Sequence, residues 1–201
     1  MINKKNLKKK ILAIKEWRNP FIIDGKKLEL KDKFKRNWLH TWQEYKSVNL
    51  NKMIKLSVDL NSNKKVNKMS LLEIGCNDGY LSMNHNKLGF KSILGVDLKQ
   101  NAVDRANLIK KYYDLKNITY SKKNIETLNS KKKFDIVTAN GLLYHLSDII
   151  GVMEKISNLT KDILIISTFK HYDFSFSKIG LPNLSFTKST SLRLNIENTE
   201  F

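Results

Sequence analysis

At 201 residues the chain has room for one domain plus an extension, and a hydrophobic content of 41% supplies a real core. A single cysteine, Cys76, excludes a disulfide framework and suits a reducing compartment; no apolar run approaches membrane-spanning length, and Ile11-Leu12-Ala13-Ile14 behind the first lysines is too short for a signal-peptide core. The net charge of +18 attracts anions, but Arg18, Arg36, Arg105 and Arg193 are the only arginines, and abundant asparagine and isoleucine mark an AT-rich coding bias, so lysine excess alone is weak evidence for phosphate recognition.

In chain order, residues 1–17 set lysines against Leu7, Ile11, Leu12, Ile14 and Trp17, an amphipathic pattern that serves either a docked surface helix or a nucleic-acid-binding arm. Asn19-Pro20 breaks it. Phe21-Ile22-Ile23, the turn Asp24-Gly25 and Leu28-Glu29-Leu30 then predict a short β-hairpin. A second helical region runs over residues 33–60, with Phe34, Trp38 and Trp42 four apart on one face and Tyr45 beyond them; such a stripe is either core packing or a lid with stacking aromatics. The polar run at 61–68 is the expected linker, dividing a helical and hairpin extension at 1–67 from a domain at 68–201.

The chain is organised around residues 70–82. Leu71, Leu72 and Ile74 form an apolar run that breaks at Gly75, crosses Cys76, Asn77 and Asp78 to Gly79, and enters an apolar-periodic stretch through Leu88. Gly75 permits a sharp turn with no Cβ between chain and ligand, and Gly79 lets a helix N-terminus pack close. The spacing is Glu-x-Gly-x-x-x-Gly. Asn77 stands where a dinucleotide fingerprint has its second glycine, and Glu73 beside the loop would repel phosphate and attract an ammonium group. The pattern therefore favours a nucleoside that carries an amino acid, against the alternative of a glycine turn in some other α/β protein.

A second buried strand at 92–97 ends in Asp97, 18 residues past Gly79, close to the interval for an acid that grips a ribose; the alternative role is a helix cap. A helix follows over 102–112, then a strand at 118–120. A strand at 134–140 leads into Gly141-Leu142-Leu143-Tyr144-His145-Leu146 at the carboxyl end of the sheet, where open α/β sheets bind ligands. Tyr144 and His145 are the side chains best placed to meet a substrate; the competing reading is a capped helix start at Ser147-Asp148 with Tyr144 half-buried. A helix over 148–159 and a strand at 162–167 complete an alternation that implies a parallel sheet.

Glu73-Ile74-Gly75-Cys76-Asn77-Asp78-Gly79 resembles the first motif of class I S-adenosylmethionine (SAM) dependent methyltransferases. The resemblance implies an α/β fold with a Rossmann-like sheet flanked by helices, with SAM as cofactor and no metal. It also implies a cofactor site of Glu73, Gly75, Cys76, Asn77, Gly79, Asp97 with Leu98 beside it, Asn124 and Ile125 at the adenine, and Asn140. In the family the loop after the third strand commonly carries an aspartate for the adenine amino group; Asn124 stands there, and Ile125 would cover the ring. With the upstream Pro20-Phe21 hairpin, Asn140-Gly141-Leu142-Leu143-Tyr144-His145 is similar to bacterial tRNA wobble-uridine methyltransferases that finish 5-oxyacetyl-type uridines, over roughly residues 17–168.

In that branch the tyrosine matching Tyr144 helps bind an added carboxylate on the cofactor. Arg18 and Asn19 stand where the branch has a cofactor-binding lysine, and its cofactor-binding arginine lies in a C-terminal segment without a counterpart here, so SAM is expected and carboxy-SAM is not. About thirty residues follow the last strand, so the usual closing helix and antiparallel hairpin are expected to be shortened. The resulting expectation is a cytoplasmic methyltransferase with His145 and Tyr144 as its catalytic residues. Its acceptor is RNA such as tRNA, or else a small metabolite or saccharide; a non-catalytic SAM-binding protein is the third reading. Neither the acceptor atom nor the oligomeric state is legible in the residues.

Overall fold

The computed structural model describes residues 3–14, 17–28 and 38–168. In chain order these form α1 (Lys4–Ala13), β1 (Ile22–Ile23), β2 (Lys26–Lys27), α2 (Trp38–Asn61), β3 (Ser70–Ile74), α3 (Tyr80–Asn86), β4 (Ser92–Asp97), α4 (Gln100–Tyr112), β5 (Ile118–Lys122), β6 (Phe134–Asn140), α5 (Ile149–Leu159) and β7 (Thr160–Ser167). β3 to β7 make one parallel sheet in the order β5-β4-β3-β6-β7. The order reverses between β3 and β6, so the ends of those two strands open a crevice. This is the Rossmann-like α/β architecture expected from the alternation of elements.

The sheet sits in the middle because its strands are apolar on both faces: β6 is buried along its whole length, and four of the five residues of β3 are buried. One face packs with Leu71, Ile93, Val103, Ile109, Ile118 and Ile136, the other with Leu72, Ile74, Val137, Val152, Ile156 and Leu164. The N-terminal elements join the first of these clusters. Leu7, Ile11, Trp17, Phe21, Leu50, Ile54 and Val58 lie in the same buried group as β3 and β4, and the Trp17 indole donates to the Ile11 carbonyl at 3.2 Å. The hairpin turn is the two-residue kind, with Asp24 and Gly25 both at positive φ, and Tyr112 and Tyr113 at the end of α4 donate their hydroxyls to Asp24 and to the Ile22 carbonyl.

One open reading is narrowed. The described aromatic residues of the second helical region lie off the core face: α2 buries Leu39, Ser47, Leu50, Ile54 and Val58, whereas Trp42 is 36% and Tyr45 62% exposed, with their rings 6.1 Å apart. From Ser47 on the buried residues recur every three or four positions, and this stripe outweighs two amphipathic rings whose polar edges tolerate water. Phe34 and the Trp38 side chain lie outside the described residues. β5 and β6 are joined by a loop with no intervening helix, as the sequence implied. The connection, at 123–133, offers only Ile125 and Leu128 as apolar anchors among lysines, asparagines and serine, too few to bury a helical face. The closing elements expected after β7 fall outside the described residues, and among those described no helix is long and apolar enough to cross a membrane.

Candidate active site at the carboxyl ends of β3, β4 and β6

The bend after β3 is held open from below. Gly75 and Gly79 adopt φ of +74° and +82°, and Asn77 between them adopts +50°, so the chain makes a left-handed excursion and re-enters α3. The amides of Gly75 and Cys76 donate to the Val96 carbonyl at 2.8 and 3.0 Å, pinning the start of the bend to β4. The Asn77 amide donates to Asp97 Oδ2 at 2.9 Å, and the Lys99 amide to Asp97 Oδ1 at 2.9 Å. Asp97 stands, partly exposed, at the end of β4 and ties the bend to the turn before α4; the N-cap of that helix is Lys99, so Asp97 is not its cap. Each oxygen accepts one bond and retains a lone pair for hydroxyl donors.

Asp78, the third residue of the bend, points inward. It is 2% exposed and accepts from the Asn19 side-chain amide. Burial pushes its carboxyl up to about 6 although Asn19 favours the charged form. Phe21 stacks edge-on against both Trp17 and Tyr80, the first residue of α3. The N-terminal segment thus braces the glycine bend, a role that neither Arg18 nor Asn19 announced locally. Beneath it Glu73 is 1% exposed and accepts from the Ser82 hydroxyl of α3. Desolvation raises Glu73 to about 8, against the pull of Ser82 and Lys46. Cys76 is buried next to these acids, which together with desolvation push its thiol far up and leave it inert.

The sign of the Glu73 effect follows directly. The folded protein keeps the proton up to about pH 8, while the unfolded chain releases it near 4.5, so stability falls as pH rises through that window. Glu73→Gln is expected to flatten the dependence and to gain on the order of 4–5 kcal/mol over the parent at pH 8.5, with little difference at pH 4.5. Urea unfolding at the two pH values measures this; an equal shift at both would show that the carboxyl is ionised when folded.

α2 brings in a cation that the sequence did not single out. Lys46 is half-buried, with its Nζ 3.7 Å from the position a Cβ would take on Gly141; burial lowers its pKa and Glu73 opposes that. Asn51, five residues further on, is 2.6 Å from His85 Nδ1 through its Oδ1 and donates to the Asn84 carbonyl at 3.0 Å, which fastens α2 to α3. At the end of β6, Asn140 is 9% exposed, and both atoms of its side-chain amide are buried without a hydrogen-bond partner among the described residues; Thr138 Oγ1 is in the same condition. Buried amides are rarely left so without a ligand or an ordered water to complete them. Beyond Asn140, Gly141 takes φ +68° and the chain enters a short 3₁₀ turn, Leu143–His145. Tyr144 is 50% exposed, His145 is exposed, and their rings lie 4.3 Å apart. Asp148 caps α5 by accepting from the Gly151 amide at 2.8 Å, so the capped-start reading of this loop holds alongside the exposure of Tyr144 and His145.

The expected residues thus converge unevenly. Gly75, Asn77, Gly79, Asp97 and Asn140 gather at the carboxyl ends of β3, β4 and β6, with Leu98 58% exposed beside Asp97. Asn124 turns its Oδ1 onto the Glu126 amide at 2.9 Å, closing its own turn, and Ile125 is 6% exposed within the cluster of Leu72, Val96 and Val137. Lys46, Asn19 and Thr138 join the site only through the fold.

A parallel α/β sheet with a glycine bend after its first strand, an acid at the end of the second and buried unpartnered amide atoms at the end of the fourth defines a protein of the doubly wound class, with its candidate site at the carboxyl end of the sheet. The chain belongs to the methyltransferase domain family, whose model matches residues 65–191. It is 31% identical over 173 residues to the ubiquinone biosynthesis O-methyltransferase of Pelagibacter ubique (strain HTCC1062), covering 83% of this chain and 65% of that one. It is 28% identical over 148 residues to the tRNA U34 carboxymethyltransferase of Helicobacter acinonychis (strain Sheeba), covering 72% and 49%. The chain thus spans 65% of the Pelagibacter relative, and 56% of the ubiquinone biosynthesis O-methyltransferase of Rickettsia akari (strain Hartford). Among solved structures, the N-terminal domain of EvdMO1 in the presence of SAH and D-fucose superposes with a TM-score of 0.67 at 17% identity, over 84% of this chain and 65% of that one, a likeness of fold.

Proposed function

We propose that this chain is a SAM-dependent methyltransferase acting on RNA, with the cofactor held at the carboxyl ends of β3, β4 and β6 and the acceptor presented to Tyr144 and His145. One observation carries the cofactor reading. The glycine bend, the lone pairs of Asp97 and the unpartnered amide of Asn140 face one end of the sheet, a set of donors and acceptors suited to an uncharged ribose and a zwitterionic amino acid. Asp97 would accept from the ribose hydroxyls, Asn140 would take its missing partners from the ligand, and Lys46 would face the methionine carboxylate. Bound SAM supplies an electrophilic sulfonium methyl.

The chain's own contribution is placement and proton handling. Alignment of acceptor and methyl is worth about 7–11 kcal/mol. His145, exposed at the mouth with its ring tilted against that of Tyr144, is suited to accept a proton from an acceptor hydroxyl through a free imidazole nitrogen. The net charge of +18 and the similarity to a tRNA U34 carboxymethyltransferase support RNA. The exposure of Tyr144 and His145 suits an acceptor that is itself part of a large molecule.

A small-molecule hydroxyl is the second reading, favoured by the similarity to ubiquinone biosynthesis O-methyltransferases. Incubation with methyl-labelled SAM and separated RNA and metabolite pools decides between them: label in RNA is expected, and label confined to the metabolite pool rejects the RNA acceptor. His145→Ala should lower turnover at least tenfold while cofactor affinity stays within about twofold. Loss of both together would make the histidine structural.

A further inference from the structure

The opposite end of the sheet carries a second concave surface, of about 780 Å³, formed where the amino ends of β3, β4, β6 and β7 meet the segments that lead into them. Lysines reach it from four separate stretches of chain: Lys64 and Lys68 before β3, Lys91 before β4, the run at 131–133 before β6, and Lys161 at the start of β7. Its remaining lining is Ser70, Ser92 and Asp135, with no apolar or aromatic side chain. Asp135 is already satisfied: Lys64 Nζ lies 2.8 Å from Oδ1, and the amide and hydroxyl of Ser70 donate to Oδ2 at 2.7 Å. Burial opposes the charge, yet these partners hold the Asp135 carboxyl well below the usual range, so it stays ionised and occupies Lys64. Lys132 lies 5.1 Å over the Phe134 ring, which orders it without neutralising it. Among the described residues Lys68, Lys91, Lys133, Lys161 and their neighbours at 131 and 132 make no ion pair.

Compositional bias explains many lysines, but it does not explain why four stretches distant in sequence place theirs around one hollow. We propose that this hollow is a docking site for the phosphate backbone of RNA, remote from the methyl-transfer end. The lining chooses among polyanions. Lysine and serine donors bind phosphate oxygens, and the lack of aromatic platforms means that bases are not read, so binding is electrostatic and independent of sequence. An anionic membrane would be met by a flatter surface with apolar side chains to insert between headgroups, and the lining has none. β3 separates the hollow from the glycine bend by five residues, about 17 Å at strand spacing, so an RNA that engages both ends must be folded or long. The site therefore takes an RNA that is folded or long enough to place its backbone on the lysines and its acceptor nucleotide at Tyr144. This choice of substrate rests on the RNA reading above, whereas phosphate binding at the hollow does not.

The test uses the full chain and a fluorescently labelled bulk tRNA, with affinity measured by anisotropy from 50 to 300 mM salt. The triple variant Lys131→Glu, Lys132→Glu, Lys133→Glu should bind about tenfold or more weakly at 100 mM and lower the slope of log affinity against log salt by about two to three. A control triple with the same charge change on α1, Lys5→Glu, Lys9→Glu, Lys10→Glu, should lose less than threefold. Equal losses in both triples would mean that net charge alone draws RNA. No loss at the hollow, or vesicles of phosphatidylserine bound through these lysines while tRNA is not, would overturn the proposal. Should the first triple fail to fold, Lys68→Glu with Lys91→Glu, from two other stretches, carries the same expectations. SAM binding by calorimetry is read in parallel: if the parent binds tRNA through the hollow but no SAM, the methyltransferase reading fails and the docking site stands.

Discussion

Alanine at position 79 is expected to cost about 2–4 kcal/mol of stability and to abolish measurable SAM binding. Gly79 takes φ +82°, where a Cβ alone is worth about 1 kcal/mol of strain, and the added carbon would sit 2.4 Å from Tyr120 Oη and 2.6 Å from its Cζ. Tyr120 cannot step aside: it is 7% exposed on β5, and its hydroxyl donates to the Gly79 carbonyl at 3.2 Å. Gly25 provides the comparison, since it has φ +77° with nothing within 4 Å of its ideal Cβ and should lose only the backbone component on replacement by alanine. Urea unfolding of Gly79→Ala, Gly25→Ala, Tyr120→Leu and the double variant Gly79→Ala/Tyr120→Leu separates the two contributions. If Gly79→Ala costs no more than Gly25→Ala, Tyr120 does not wall the bend.

Asp97→Ala should weaken SAM binding about tenfold or more, equivalent to a charge-assisted bond worth roughly 1.5–3 kcal/mol. Two losses combine. The ribose would forfeit its acceptor, and the Asn77 amide would forfeit the carboxylate oxygen 2.9 Å away that holds the left-handed residue of the bend. Asp97→Asn keeps one carbonyl oxygen and the side-chain volume, so it should fall between the parent and the alanine variant. Calorimetry with SAM and with its demethylated product reads both. Unchanged affinity in Asp97→Ala would remove the ribose from this end of β4 and with it the placement of the cofactor.

Both expectations concern residues that were visible in the sequence, and the reason is local. A buried strand, a glycine-punctuated bend and a helix are set by neighbours in the chain: the bounds of β4 and β6 follow from continuous apolar runs, and α5 begins where Asp148 can cap it. The same reasoning left α2 open between core packing and a lid, because periodicity shows that a helix has an apolar stripe without showing which of two stripes meets the core. Trp42 and Tyr45 lost to Leu50, Ile54 and Val58, which fit against β3 and its neighbours.

What the sequence determined by itself was the class of fold and the bend with its distant acid, since each depends on spacing along one segment or between consecutive elements. Only the tertiary structure decided that Asn19 braces Asp78, that Lys46 of α2 stands beside Gly141, that Asn140 keeps both amide atoms unpartnered, and that lysines from four stretches surround one hollow. Those pairings join residues tens of positions apart. Their closeness is set by how helices and loops pack around the sheet, which no local propensity or period encodes.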